Sequence, residues 1–204
     1  MKKLVTISRE YGSGGRIIGK LVAEKLGIPF YDEEIIDLAV EKSGLSREIV
    51  ESAELRAKNS FSYSLSSALN FGESIMNDTV SMNEKLFIAQ YDVIHQIAEE
   101  GEGVIIGCCA DYVLKDLPGV TNVFVYGELE DRIKRSIEVY GVEEKKAADV
   151  VKSYDKARTH YYNYHTTQKW GHFSNYNLAI NSSYISDEAA ADLIVEYMNT
   201  RTYK

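Results

Sequence analysis

The chain has 204 residues, 45% hydrophobic and 26% charged, with 31 acids against 23 lysines and arginines and a net charge of −8. That length suits one domain with insertions and is ample for a buried core. The acidic balance argues against general affinity for nucleic-acid backbones or anionic membranes, so any anion site is local, built from a few arginines and backbone amides.

The only cysteines are the neighbours Cys108 and Cys109. Adjacent cysteines rarely bridge, because the peptide between them strains the geometry. With no disulfide framework and no second Cys/His cluster, a reduced cytoplasmic setting is expected, and no metal-ligating set is. His160, His165 and His172 lack a ligand spacing. The start, Met-Lys-Lys-Leu-Val-Thr-Ile-Ser, is too briefly apolar for a signal peptide, and no run approaches membrane-spanning length.

In chain order, residues 4–8 read as a short buried strand, and residues 15–26 carry Ile17, Ile18, Leu21, Val22 and Leu26 at helical spacing with Gly27 as C-cap. Between them lies Arg9-Glu10-Tyr11-Gly12-Ser13-Gly14-Gly15-Arg16. Glycines between a strand and a helix form a phosphate cradle, with backbone N–H groups and the positive end of the helix dipole converging on an anion. A Walker A loop reads G-x-x-x-x-G-K-[ST], its lysine on the β- and γ-phosphates and its hydroxyl on magnesium. Gly14 and Gly19-Lys20 fit that spacing, but Leu21 replaces the hydroxyl and Lys20 falls more than a turn into the helix. The better register ends the loop at Gly14, with Gly15 at the lysine position and Arg16 at the hydroxyl. Arg16 and Arg9 are then the two candidates to replace the missing charge. A dinucleotide turn, G-x-G-x-x-G from Gly12, meets Ile17 where its last glycine belongs, although Asp32 lies at the offset of a ribose-binding acid.

Residues 28–32 suggest a second strand ending in Asp32, which either caps the next helix (through Ile35, Ile36, Leu38 and Ala39) or faces an acceptor at the strand's carboxyl end. A short helix capped by Ser46 is expected over 46–56, an insertion rich in Ser and Asn over 59–83, and a long helix over 84–100. Strands are predicted at 103–107, 122–126 and 177–181, and helices at 129–140, 143–165 and 187–198. The alternation of strands and helices implies one α/β domain with a parallel sheet and two excursions, near 45–82 and 142–172. Arg132, Lys134 and Arg135 form either a solvated face balanced by Glu130 and Asp131 or, for Arg132 near a strand end, part of a site. Asp155 and Arg158, three apart, are either a surface pair or a device that aims Arg158 at a phosphate. The tyrosines of 160–165 favour helix packing over base stacking, and Trp170-Gly171 is expected to anchor a loop.

With these parts placed, the chain resembles the cytidylate kinase-like family, a branch of the P-loop nucleoside monophosphate kinases. The resemblance rests on Ile7-Ser8-Arg9-Glu10-Tyr11-Gly12-Ser13-Gly14-Gly15-Arg16, Gly19, Pro29-Phe30-Tyr31-Asp32, Ile105-Ile106-Gly107 and Ala110-Asp111-Tyr112-Val113-Leu114. It continues through Asp155-Lys156-Ala157-Arg158, Tyr161-Tyr162, Trp170-Gly171 and Asn181-Ser182-Ser183, in order over nearly the whole chain. It implies a three-layer α/β P-loop kinase fold on a five-stranded parallel sheet, an acceptor-side insertion near 45–82 and a lid near 142–172. It also implies transfer of the ATP γ-phosphoryl group, with Mg2+, to a nucleoside monophosphate, typically CMP. The alternative is a nucleotide-binding protein of the same fold with little or no catalysis. By position, Gly12, Ser13, Gly14 and Gly15 would wrap the ATP phosphates with Arg16 adding charge. Asp32, Cys108 and Asp111 would lie on the acceptor side, and Arg132 and Arg158 would close onto the transferring group.

Three features depart from pattern. The lysine-less loop differs from the wider P-loop kinases but resembles this branch. Cys108 follows Gly107 where an arginine would be expected to hold the acceptor phosphate, and a thiol cannot supply that charge-assisted fork. Thr167 and His172 stand where the lid pattern favours glycine and an acid.

Overall fold

A computed structural model describes residues 3–32, 35, 38, 42 and 82–202. The helix expected over 46–56 and nearly all of the insertion over 59–83 lie outside the described residues.

Strand β1 (Lys3–Arg9) leads through the glycine loop into helix α1 (Gly15–Leu26) and the short β2 (Phe30–Tyr31). Then come α2 (Met82–Glu100), β3 (Glu102–Ile106), α3 (Ala110–Val113), β4 (Val120–Tyr126) and α4 (Leu129–Glu138). The chain finishes with α5 (Glu144–His165), a 3₁₀ turn at Phe173–Asn175, β5 (Leu178–Asn181) and α6 (Asp187–Thr200). All five strands are parallel, in the order β2-β3-β1-β4-β5. β1 is central, with Val5 opposite Val104 on one side and Thr121 on the other.

The alternation of side chains along the strands builds two cores, one per face. Val5, Ile7, Val104, Ile106, Val123 and Val125 pack against Ile18 and Val22 of α1 and Ala191 and Ile194 of α6. Leu4 and Ile105 point the other way, onto Val93, Ile94 and Ile97 of α2 and Ala110 and Leu114. Helices on both faces make three layers, as expected for a parallel sheet of β-branched residues buried on both sides. Each fully buried Ile or Val side chain contributes about 1.5–3 kcal/mol relative to exposure.

Gly19 belongs to this packing. A Cβ there would come 2.5 Å from Ile106 Cδ1, so the glycine lets α1 lie close on the sheet. Lys20 points away, 68% exposed and 4.0 Å from Glu24. The Gly19-Lys20 match to a Walker loop is therefore a packing feature. Because every strand runs the same way, the loops after β1, β3, β4 and β5 gather at one end of the sheet, where ligands of open α/β folds bind.

Candidate active site

The loop after β1 turns through two left-handed glycines, Gly12 (φ 81) and Gly14 (φ 81), the latter capping α1 without a side chain. Ser13 closes the turn, its Oγ donating to the Glu10 carbonyl at 2.9 Å. The first turn of α1 carries no acidic residue, so its positive end is not neutralised from within the helix. The reason for the missing lysine is steric. A Cβ at Gly15 would sit 2.6 Å from Arg9 Cβ and 3.3 Å from Val125 Cβ, so no side chain fits there.

The loop is pinned by charge to α4 and α5. Asp155 accepts the Tyr11 backbone N–H at 2.7 Å through one oxygen and Arg132 Nη1 at 2.5 Å through the other. Arg132 also donates through Nη1 to the Tyr11 carbonyl (3.2 Å) and through Nε to the Gly127 carbonyl (2.9 Å), and its Nε lies 3.2 Å from Glu10 Oε2. Glu10 in turn accepts the Gly127 N–H at 3.1 Å. Burial pushes the Glu10 carboxyl up, against the pull of that N–H and of Arg132. Asp155 thus serves Arg132 and the loop, and the Asp155–Arg158 pair considered from sequence is not formed. Arg132 is buried, not on a solvated face.

Two clefts flank the loop. The larger, about 420 Å³, lies between α4 and the loop after β5, lined by Gly12, Ile17, Arg132, Arg135, Ser182 and Ser183. At its edge Arg135 Nη1 donates to both oxygens of Asp187, at 2.9 and 2.7 Å. The Arg135 guanidinium rests directly on Gly14, where any Cβ would overlap it.

The second cavity, about 250 Å³, lies under α5 at the ends of β1 and β3, with Ser8, Arg9, Cys108, Arg158, Tyr161 and Trp170 among its walls. Gly107 (φ 73), Cys108 (φ 53) and Cys109 (φ 54) follow one another in the left-handed region. Each non-glycine residue held there costs about 1–3 kcal/mol, strain that collects at functional sites. Arg9 lies against Gly107, where only a glycine leaves room, and Arg158 Nη1 donates to the Arg9 carbonyl at 3.0 Å. Arg158 also lies over the Tyr11 ring, 5.7 Å from its centroid, and that ring stacks on Tyr154. Burial and the Arg9 charge push the Arg158 guanidinium down to about 9, which leaves it cationic at neutral pH. Among the described residues no carboxylate forms a salt bridge with either arginine.

Asp111 lies beneath this cavity, buried, with Tyr162 Oη donating to Oδ2 at 2.6 Å and Ser8 Oγ to Oδ1 at 3.3 Å. Burial raises its carboxyl and those hydrogen bonds oppose the rise. The Cys109 thiol is raised by the same burial and by Asp111. Arg16, 55% exposed, pairs through Nε with Asp32 at the end of β2, so the structure ties those two predicted residues to each other. His172 caps the 3₁₀ turn, its Nδ1 accepting the Ser174 N–H at 3.4 Å. Trp170 meets Phe124 edge-on at 5.3 Å and anchors its loop there.

The structure therefore brings Gly12–Gly15, Arg132 and Arg158 to one strand end, with Cys108 and Asp111 on one side. Sequence reasoning missed Arg135 and Asp187 as a pair and Glu10 as a member of the site, and it named Arg9 only as a candidate for the loop's missing charge. The Arg132/Arg135 spacing of α4 was the one signal for Arg135.

No curated protein matches the sequence. Among solved structures, an uncharacterized protein from Eubacterium ventriosum is similar at 27% identity and TM-score 0.74, covering 98% of this chain and 100% of that one. Shikimate kinase from Acinetobacter baumannii, in complex with shikimate, shares the fold at 13% identity and TM-score 0.56, with coverage of 99% and 97%. Shikimate kinase from Bacteroides thetaiotaomicron does so at 15% and 0.55, with coverage of 98% and 99%. Residues 4–184 match the sequence model of the cytidylate kinase-like family. On that match, over most of its length, the chain belongs to the cytidylate kinase-like family.

Proposed function

We propose that this protein transfers the γ-phosphoryl group of ATP to a nucleoside monophosphate, with CMP the acceptor that its family resemblance favours. Family and fold support a nucleotide or small-molecule kinase in general. The observation that carries the finer reading is the pair Arg9 and Arg158, two cations without a salt-bridge partner among the described residues, facing a cavity beside the glycine loop.

In this reading the backbone of Gly12, Ser13, Gly14 and Gly15 holds the ATP phosphates at the α1 N-terminus, and the nucleoside lies in the 420 Å³ cleft. The acceptor occupies the 250 Å³ cavity across the loop. Arg158 and Arg9 offset the charge on the transferring group, and Arg132 holds the loop in register with α5. Phosphoryl transfer asks mainly for positioning and charge stabilisation, which these groups supply. Among the described residues lining the acceptor cavity none is a carboxylate. A hydroxyl acceptor would need such a base, whereas a phosphate acceptor is already anionic at neutral pH, which supports a monophosphate.

The donor set fits magnesium only as part of the nucleotide, since Arg16 replaces the loop hydroxyl and Ser13 Oγ is engaged by Glu10. Carried on phosphate oxygens and water, Mg2+ would neutralise charge between the phosphates. Asp32 and Cys108 are assigned to the acceptor side, with Asp111 stiffening the cavity floor through Ser8 and Tyr162.

A panel of nucleoside monophosphates with Mg-ATP, read by ADP release, tests this. Turnover restricted to monophosphates supports it. ATP binding with no turnover on any of them favours the second reading, a nucleotide-binding protein of this fold. The thiol of Cys108 in that cavity, where an arginine would hold an acceptor phosphate, is the observation on that side.

A further inference from the structure

The loop that holds phosphates has no lysine and no room for one, because Arg9 fills the space over Gly15. The other cations near it are accounted for. Arg16 is turned to Asp32. Arg132 is held by Glu10, Asp155 and two backbone carbonyls. Arg9 and Arg158 lie on the acceptor side. Lys134 also lines the cleft, but it is 70% exposed and 4.0 Å from Glu138. Arg135 is the cation whose guanidinium touches Gly14 at the mouth of the loop.

Its present partner is suited to letting go. Asp187 is the first residue of α6, where the helix dipole stabilises a carboxylate that has lost its cation. The pair is only partly buried, with 23% and 18% of the two side chains exposed. One nitrogen, Nη1, makes both bonds to Asp187. A guanidinium has five donors in a planar fork, suited to bridging phosphate oxygens in two directions.

We propose that Arg135 is the phosphate ligand that replaces the loop lysine, parked on Asp187 in the empty protein and handed to the nucleotide's phosphate chain when it binds. The inference rests on the reading of the 420 Å³ cleft as the ATP site. It gives the bare Gly14 a second use besides its left-handed cap: without a side chain there, the Arg135 guanidinium can lie against the loop. It also makes the handover a competition between two anions, Asp187 and the incoming phosphates.

Calorimetric titration of the full chain with Mg-ATP, inorganic tripolyphosphate and adenosine tests it. Arg135→Gln is expected to weaken ATP and tripolyphosphate roughly tenfold to a hundredfold, as for loss of a charge-assisted contact, with adenosine within twofold. Asp187→Asn removes the competitor and is expected to tighten ATP roughly threefold or more on the same grounds. Wild-type affinity for tripolyphosphate in Arg135→Gln overturns the ligand role, and weakening of all three ligands alike makes Arg135 merely structural and overturns it too. An Asp187→Asn variant that binds ATP no more tightly than wild type overturns the handover. If Arg135→Gln does not fold, Asp187→Asn decides alone by the same criterion. If wild type binds no ATP, the donor-site reading itself fails, an outcome distinct from all of these.

Discussion

Breaking the pin between the glycine loop and α5 should cost both stability and nucleotide affinity. Arg132 and Asp155 are 10% and 18% exposed and meet at 2.5 Å. At an effective dielectric near 20, unit charges about 4 Å apart attract by about 4 kcal/mol, and desolvation offsets part of that. Asp155→Ala does not orphan Arg132, because Glu10 lies 3.2 Å from its Nε. It does strip the Tyr11 N–H of its acceptor, about 1 kcal/mol more. The expected loss is about 3 kcal/mol, a large share of the roughly 5–15 kcal/mol that holds a domain together. For a chain of this size that is about 6–12 °C in Tm.

Arg132→Ala is worse near neutrality, for a reason the pH dependence exposes. It leaves Glu10 and Asp155 close together without their shared cation, and Asp155 already pushes the Glu10 carboxyl up. A carboxyl whose folded pKa lies above its unfolded value loses stability as pH rises from the unfolded value through the folded one. Removing Arg132 raises Glu10 further, so the deficit of Arg132→Ala should shrink as pH falls from 7 toward 5. Urea unfolding of wild type, both single variants and the double variant gives the coupling energy directly. A value of about 1.5–3 kcal/mol is expected. Coupling below about 0.5 kcal/mol, the level of an ordinary exposed pair, would refute the pin.

Three further outcomes follow from the acceptor side. Arg158→Ala should lower turnover about a hundredfold to a thousandfold while ATP affinity stays within threefold, and unchanged turnover in steady-state assays would remove Arg158 from the transfer step. Cys108→Arg places a fork in the acceptor cavity and should tighten CMP binding about tenfold by titration, whereas unchanged affinity would count against a phosphate contact at that position. Tyr162→Phe removes the donor to buried Asp111 Oδ2 and should destabilise by about 1.5–3 kcal/mol at pH 7. Because the lost hydrogen bond was holding the raised Asp111 carboxyl down, the loss should be smaller in acid, and an equal loss at pH 5 and pH 7 in chemical unfolding would show that Asp111 is not the partner that matters.

What the sequence made legible was periodic or local. Helix α1 was readable to its ends because Ile18 and Val22 lie on its buried face and Gly27 takes the left-handed cap. The central strands were readable because β-branched runs sit between glycines and turns, although β4 starts at Val120, two residues before the predicted start, and the Phe30–Tyr31 strand β2 is shorter than the predicted 28–32. The helical role of Gly19 was not, since it depends on Ile106 across the sheet. The charged contacts were least legible of all. Asp155 has Arg158 three residues away, a spacing that favours pairing within a helix, yet it pairs with Arg132 on another helix and with a backbone N–H of the loop. Local spacing offers a few tenths of a kcal/mol, and a half-buried site with a second cation and an unsatisfied N–H offers several times more.

The same competition explains how charge is distributed about the loop. On the donor side each arginine has a carboxylate: Arg132 has Glu10 and Asp155, and Arg135 has Asp187. On the acceptor side of the proposed reading Arg9 and Arg158 share one wall with no salt-bridge partner among the described residues, and the Arg9 charge helps hold the Arg158 guanidinium below its usual range. Such a pair is tolerated because guanidinium is weakly hydrated and Arg158 is braced by the Arg9 carbonyl and the Tyr11 ring. In the proposed reading an anionic acceptor between them relieves their repulsion, beyond what Asp155 supplies at longer range. In the same reading the donor side, which already holds its neutralising carboxylates, exchanges one of them for phosphate. The missing lysine fits that reading, since Arg9 takes the space at Gly15 and the donor phosphates are left to the proposed cation of α4.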